Sequence, residues 1–223
     1  MMRRPIILVG SSGKILDSKH GETIDKFAHV VRFNAYQIEG YEEFVGTKEK
    51  IWAPNLGITQ HTETTRKYLA SNDYVWYVGS NYNLEKQLLI TKKKLNKQFV
   101  IESINAGVSN FIDEVKDNFK GTGLCYERGK IRTGDEGKYA TTGLRGIFKA
   151  IERFGMVYVH GFSFYQECEG DLKNSHYYEV DNVPEHMRKA FTEHPQKEHD
   201  VEAENRIFKQ LISLGWVRTL EKI

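Results

Sequence analysis

A chain of 223 residues is long enough to bury a sizeable core, and one compact domain spanning 1–223 is expected. Its 32 Lys and Arg against 30 Asp and Glu leave a formal charge of +2, too small a cationic excess to suggest nucleic acid as a partner. With 39% hydrophobic and 28% charged residues, 4 Pro and 19 Gly, the composition excludes the disordered and collagen-like classes.

The basic start, Met1 to Pro5, precedes an apolar run of only four residues, Ile6 to Val9, too short for the core of a signal peptide. No stretch of about 18 apolar residues occurs, so no membrane span is expected. Two cysteines, Cys125 and Cys168, suit a reducing compartment better than a disulfide scaffold. The expectation is a soluble cytoplasmic protein, unless the chain is an excised fragment.

Ile6 to Val9, bounded by Pro5 and by Gly10-Ser11-Ser12-Gly13, reads as a buried central strand ending in a tight polar loop. Further strands are expected at Val30–Phe33, Lys50–Ala53, Tyr74–Val78, Phe99–Ile101 and Met156–Val159. Between them, Thr64–Ala70, Leu84–Leu95 and Val108–Phe119 carry apolar residues at helical spacing. The strongest helix signal is Leu144, Ile147, Phe148, Ile151 and Phe154, directly ahead of a strand. Strands alternating with helices imply an α/β fold with a mainly parallel sheet covered on both faces. The charged stretch Cys125–Lys138 has no period and reads as a loop, as do Gln166–Ser175 and Thr192–Lys197, ahead of a last helix over Asp200–Leu214. Lys92-Lys93-Lys94 reads as a solvated helix face.

Several polar turns could carry chemistry. The glycines of Gly10-Ser11-Ser12-Gly13 would let backbone approach a ligand, and a following helix would aim amides at an anion; the same residues also suit an ordinary strand-to-helix turn. The loop has neither the G-x-G-x-x-G spacing of dinucleotide folds nor a G-K-[ST] ending. Arg32-Phe33-Asn34 ends the second strand, Thr141-Thr142-Gly143 opens the long helix, and Val159-His160-Gly161-Phe162 ends a later strand. In a parallel sheet these would meet at one edge, where ligands bind. His199 stands at the mouth of the last helix, beside acidic residues of its first turn, a position suited to a general base near neutral pH.

Taken together, these segments resemble the sialyltransferases of glycosyltransferase family 29. Pro5 to Gly13, Gly21 to Asp25, Val30 to Ala35 and Gly46-Thr47-Lys48 are similar to the large sialylmotif. Tyr139 to Leu144 with Val157 to Phe162 resembles the small one, His176-Tyr177-Tyr178-Glu179 the third, and His199 with Glu204 the very short one. The resemblance implies a Rossmann-like, variant GT-A fold, one catalytic domain, and inverting transfer of sialic acid from CMP-sialic acid to a glycan hydroxyl. It implies His199 as the base, His176 as the group that hydrogen-bonds the departing phosphate, and Glu204 as structural support. Ser11, Ser12, Gly13 and Asn34 would contact phosphate and ribose; Thr141, Thr142, Gly143, Phe162 and Ser163 would shape the cytidine site, with Tyr177 near the phosphate.

A CMP sugar leaves with a single phosphate, which hydroxyls, amides and a histidine can stabilise without a metal. No two aspartates stand at i and i+2, so no cofactor or metal is expected. Ser11 replaces the Asn of animal relatives, and Ile6 and Phe154 fall where the family carries its disulfide. Another CMP-activated acidic sugar, such as CMP-Kdo, and a non-catalytic nucleotide-binding module remain alternatives. Acceptor choice is expected to lie in 79–83, 125–138 and 192–197; oligomeric state is open.

Overall fold

The computed structural model describes residues 5–55, 62–78, 96–127, 129–163 and 199–220, with 86, 88–90 and 93 between them. In chain order the elements begin with strand β1 (Ile6–Val9), helix α1 (Gly21–Asp25), β2 (His29–Phe33), α2 (Glu42–Val45), β3 (Ile51–Ala53) and α3 (Thr62–Ser71). They continue with β4 (Tyr74–Tyr77), β5 (Val100–Ser103), α4 (Val108–Val115), β6 (Leu124–Glu127), β7 (Lys130–Thr133) and β8 (Lys138–Tyr139). The last are α5 (Thr142–Phe154), β9 (Val157–His160), α6 (Val201–Ser213) and β10 (Val217–Thr219).

Seven strands form one sheet in the order β10-β9-β1-β2-β3-β4-β5, and every neighbouring pair is parallel. Central β1 is buried along its whole length, as a continuous aliphatic run in a two-sided parallel sheet must be. Its side chains alternate between faces: Ile6 and Leu8 join the core that includes α5, whereas Ile7 and Val9 join the core around α1 and α2. In β3 likewise, Ile51 and Ala53 face one core and Trp52 the other. The expected α/β architecture with both faces covered is therefore observed.

Helix α5 packs on β1 and β9. Its buried stripe, Leu144, Ile147, Phe148 and Ile151, has the predicted spacing. Gly146 sets how closely it approaches, since a Cβ there would lie 2.5 Å from Cε1 of Phe33. Ile6 and Phe154 join the same core, so packing links the first strand to the end of this helix.

Much of the segment resembling the large sialylmotif is structural. Arg32 is fully buried, and its guanidinium donates to the carbonyls of Lys48 at 2.9 Å, Val45 at 2.8 Å and Gly46 at 3.1 Å. Asp25 accepts from Thr47 N–H and Oγ1 and from Lys48 N–H. Burial alone would raise its pKa, but the hydrogen bonds from Thr47 and Lys48 hold it below the ordinary carboxylate value. These bonds fasten the turn after α2 to β2 and α1.

Two expectations change, and one strand goes unforeseen. The stretch 125–138 is not a loop but most of an antiparallel sheet, β6-β7-β8, paired Cys125↔Arg132 and Arg132↔Tyr139. Its two-residue period is short and masked by charge: Ile131 and Thr133 point inward, while Lys130 and Arg132 between them are only half-buried. Gly134 and Gly137, both at positive φ, turn the chain between β7 and β8. The helix expected over 108–119 ends at Val115 and tightens into a 3-10 turn over Lys116–Phe119. Strand β10, only three residues long, falls below the length at which alternation can be read.

Candidate active site

The chain order of strands reverses direction at β1: β2 to β5 lie on one side of it, β9 and β10 on the other. Ligands of open parallel sheets bind at such a reversal, outside the carboxyl ends of the strands. The loops after β1 and β9 meet there. Gly10 N–H donates to His160 O at 2.8 Å and Ser12 N–H to Gly161 O at 3.0 Å. The approach is so close that a Cβ on Gly10 would lie 2.2 Å from the Gly161 carbonyl oxygen.

The loop ends differently from expectation. Ser12 leads into a five-residue 3-10 turn, Gly13–Asp17, whose Lys14 N–H is capped by the Ser12 hydroxyl at 3.3 Å. Any anion held here is held by the amides of one turn, without the dipole of a full helix.

Asn34, at the end of β2, adopts a left-handed backbone with φ of 53°. Its Oδ1 accepts from Asn55 N–H and its carbonyl from Trp52 Nε1, both at 2.9 Å. That bond leaves the side-chain amide nitrogen as the donor end of Asn34. Phe162 is half-buried between Phe33, edge-on at 5.7 Å, and Phe208, stacked at 6.4 Å. Gly143 packs beneath it, since a Cβ there would stand 3.0 Å from the Phe162 ring. Ser11, Ser163, Thr141, Thr142 and Gly143 are all half-buried around this edge.

The start of α5 is tied to α6. Thr141 caps α5, its Oγ1 accepting from Leu144 N–H, while its own N–H and hydroxyl donate to Glu204 at 2.6 and 2.7 Å. Glu204 is fully buried. Its burial pushes the carboxyl up to about 7, against the lowering effect of the Thr141 hydrogen bonds and the Arg145 charge. Asp200 caps α6 by accepting from Ala203 N–H at 2.8 Å. Gly134 makes room for that carboxylate, since a Cβ would overlap its Oδ2. Between these two anchors, His199 Nδ1 lies 2.6 Å from the Tyr139 carbonyl oxygen. A carbonyl only accepts, so Nδ1 carries a proton, and in the neutral ring the lone pair lies on Nε2.

The raised pKa of Glu204 has a testable consequence. Its folded pKa lies above the ordinary 4.5, so its stabilising contribution is complete below pH 4.5 and is lost as pH rises to about 7. Glu204→Gln removes the charge and keeps one acceptor oxygen for the Thr141 N–H. Between these pH values its stability relative to the parent should therefore rise by on the order of 3 kcal/mol, read from urea unfolding at several pH values. A difference that stays constant with pH would contradict this.

The structure thus joins Gly10, Ser12, Gly161, Phe162, Gly143, Thr141, Glu204, Tyr139 and His199 through successive contacts. His176 and Tyr177, Cys168, and the segments 79–83, 166–175 and 192–197 lie outside the described residues. Sequence reasoning missed Gly10 as a packing constraint, and it missed Tyr139 and Arg145. Arg145 is buried on α5, with its pKa lowered by that burial. Tyr139 is exposed; hydrogen bonding and charge from Lys130, then the charge of Arg132, hold its phenol below the ordinary value. Among the described residues, no group of three or more His, Cys, Asp or Glu could hold a metal ion. No helix there is long and apolar enough to cross a membrane.

A sheet reversal carrying polar loops and a held imidazole fits an enzyme of group transfer, and the sequence names the group. Over residues 4–216 it matches glycosyltransferase family 29, the sialyltransferases, and the chain belongs to that family. The fold is similar to that of a mammalian sialyltransferase, at 18% identity and a TM-score of 0.59, over 98% of this chain and 69% of that one. A mammalian sialyltransferase in complex with Gal-beta-1-3GalNAc-ortho-nitrophenol matches at 19% identity and 0.57, with the same coverage. The sialyltransferase CstII from Campylobacter jejuni, in complex with the substrate analogue cytidine-5'-monophosphate, matches at 15% identity and 0.56, over 99% of this chain and 81% of that one.

Proposed function

We propose that this chain is an inverting, metal-independent sialyltransferase that moves sialic acid from CMP-sialic acid to a glycan hydroxyl, on a Rossmann-like variant of the GT-A fold. The observation that carries the reading is the held imidazole: with Nδ1–H spent on the Tyr139 carbonyl, Nε2 of His199 is the base. Nε2 takes the acceptor hydroxyl proton as the oxygen forms a bond to the anomeric carbon of the sialyl group. The bond from that carbon to the phosphate oxygen breaks, and CMP leaves from the opposite face, which inverts the centre.

The other residues take roles around this step. The turn at Ser11, Ser12 and Gly13 and the amide of Asn34 hold the donor phosphate and ribose, and His176 hydrogen-bonds the phosphate as its charge grows. The resemblance assigns Tyr177 to the same phosphate. Thr141, Thr142, Gly143, Phe162 and Ser163 form the cytidine side of the cradle. Glu204 binds no substrate; it locks the cap of α5 against α6 and so keeps the His199 segment in place. One leaving phosphate develops little enough charge for these donors to stabilise, so no divalent ion or other cofactor takes part. The match over 4–216 supports one catalytic domain. We assign the protein to the cytoplasm because Ile6 and Phe154 join by packing where the secreted relatives are expected to carry a bridge.

The test is CMP release from CMP-sialic acid with and without a galactoside, in chelator. Acceptor-dependent release that survives chelation is expected. Release only from CMP-Kdo, or restoration only by a divalent ion, would overturn the donor or the metal-independence respectively. Binding of CMP without any turnover would point to a non-catalytic module.

A further inference from the structure

The carbonyl of Tyr139 holds the proposed base, and its side chain is the centre of a cation cluster that the chemistry above does not use. The Arg132 guanidinium lies 4.4 Å from the centre of the Tyr139 ring, the Lys130 ammonium 5.1 Å and the Arg145 guanidinium 5.7 Å. Lys130 Nζ also donates to the phenol oxygen at 3.4 Å. Arg132 is partly committed, donating to Gly137 O at 2.6 Å with Glu127 3.5 Å from its Nε. Arg145 is not. It is only 8% exposed, its Nε is buried without a hydrogen bond, and no carboxylate pairs with it among the described residues. The carboxylate within electrostatic reach, Glu204, is engaged by Thr141. A buried guanidinium beside two further cations is costly unless an anion completes the cluster.

We propose that Lys130, Arg132 and Arg145 around Tyr139 form a carboxylate-binding subsite for the acceptor, so that the preferred acceptor is a glycan ending in an acidic sugar. This rests on the reading of His199 as the base. The run from Tyr139 to Gly143 connects two regions: at its far end Gly143 packs under Phe162 in the donor cradle, and at its near end Tyr139 belongs to the three-stranded sheet. The base stands at the near end, so the acceptor approaches past β7 and β8 while the hydroxyl that the base deprotonates faces the donor. Guanidinium groups suit this ligand because their planar fork matches a carboxylate with two parallel hydrogen bonds. The half-exposed ring of Tyr139 leaves the cluster open to solvent.

The experiment is calorimetric titration of the full chain, with CMP present, using a sialic acid-capped galactoside and the methyl ester of the same glycan. The acid should bind roughly tenfold more tightly than the ester, as expected for one charge-assisted pair. Lys130→Gln and Arg145→Gln should each remove most of that preference; if Arg145→Gln does not fold, Lys130→Gln decides alone. Equal binding of acid and ester by the parent protein would overturn the proposal. So would variants that weaken CMP-sialic acid relative to CMP while leaving the acid-to-ester ratio intact, because the cluster would then read the carboxylate of the donor. The readout is binding, so failure of sialyl transfer would overturn the functional reading without changing this ratio.

Discussion

His199→Ala should lower acceptor-dependent CMP release by roughly 10²- to 10⁴-fold, the range that general bases contribute. The loss should fall on turnover, with CMP affinity close to that of the parent, because the proposed role sets the imidazole against the acceptor and not the nucleotide. Folding should survive: Glu204 and Asp200 anchor the α6 start through their own hydrogen bonds, and His199 contributes a contact to Tyr139 that neither anchor needs. The pH profile gives a second readout. A neutral imidazole is required, so the acidic limb of the parent should track the titration of His199 and disappear from the residual activity of the variant. His176→Ala should also slow transfer while sparing CMP binding, since its proposed role is to act on charge that develops as the phosphate departs. Turnover by His199→Ala at the parental rate would remove the assignment of the base.

Gly10→Ala should be the most damaging small substitution in the cradle. The added carbon would sit 2.2 Å from the Gly161 carbonyl oxygen and 2.8 Å from its carbon, both backbone atoms of a loop fixed by hydrogen bonds from Gly10 and Ser12. Relief requires pulling β9 away from β1 at the centre of the sheet. Overpacking of this kind costs about 3 kcal/mol or more. For a chain of this size that corresponds to a fall in melting temperature of roughly 6–12 °C. CMP affinity should fall with it, because the displaced loops are those proposed to form the donor cradle. Gly143→Ala is the control: its new carbon would meet the edge of the Phe162 ring at 3.0 Å, and a side chain can shift where a paired backbone cannot. If Gly10→Ala melted within a degree of the parent, the close approach of the two loops would be wrong.

How far each feature can be read in advance depends on its physical scale. β1 and α5 are legible because each buries a long periodic surface: four consecutive aliphatic residues in one, an apolar stripe over thirteen residues in the other. The pairing of Thr141 with Glu204 can be suspected only through the resemblance, because nothing local marks a carboxylate whose partners are 63 positions away. Arg145 is invisible for the same reason. It sits beside Leu144 and reads as a solvated neighbour until the fold brings α6 and Tyr139 against it. The β6-β7-β8 sheet reads as a loop since Ile131 and Thr133 are its only fully buried strand residues, interleaved with Lys130 and Arg132. Arg32 and Asp25 lie in the segment that resembles the large sialylmotif, and the fold shows what no local pattern marks: Arg32 is held by backbone carbonyls, and Asp25 by the Thr47 and Lys48 amides and the Thr47 hydroxyl.

The place of β1 between β2 and β9 also matters while the chain is being made. Strands β1 to β5 emerge first and can align, but the partner on the other side of β1 begins only at Val157. Until then the most aliphatic strand of the protein is a temporary edge, with its amides and carbonyls open to pairing with other chains. At roughly 5–20 residues per second, the interval between Ser103 and Val157 lasts several seconds on the ribosome. The arrangement that brings the loops after β1 and β9 together therefore gives the nascent chain a period of exposure to aggregation, during which chaperone engagement would raise its yield.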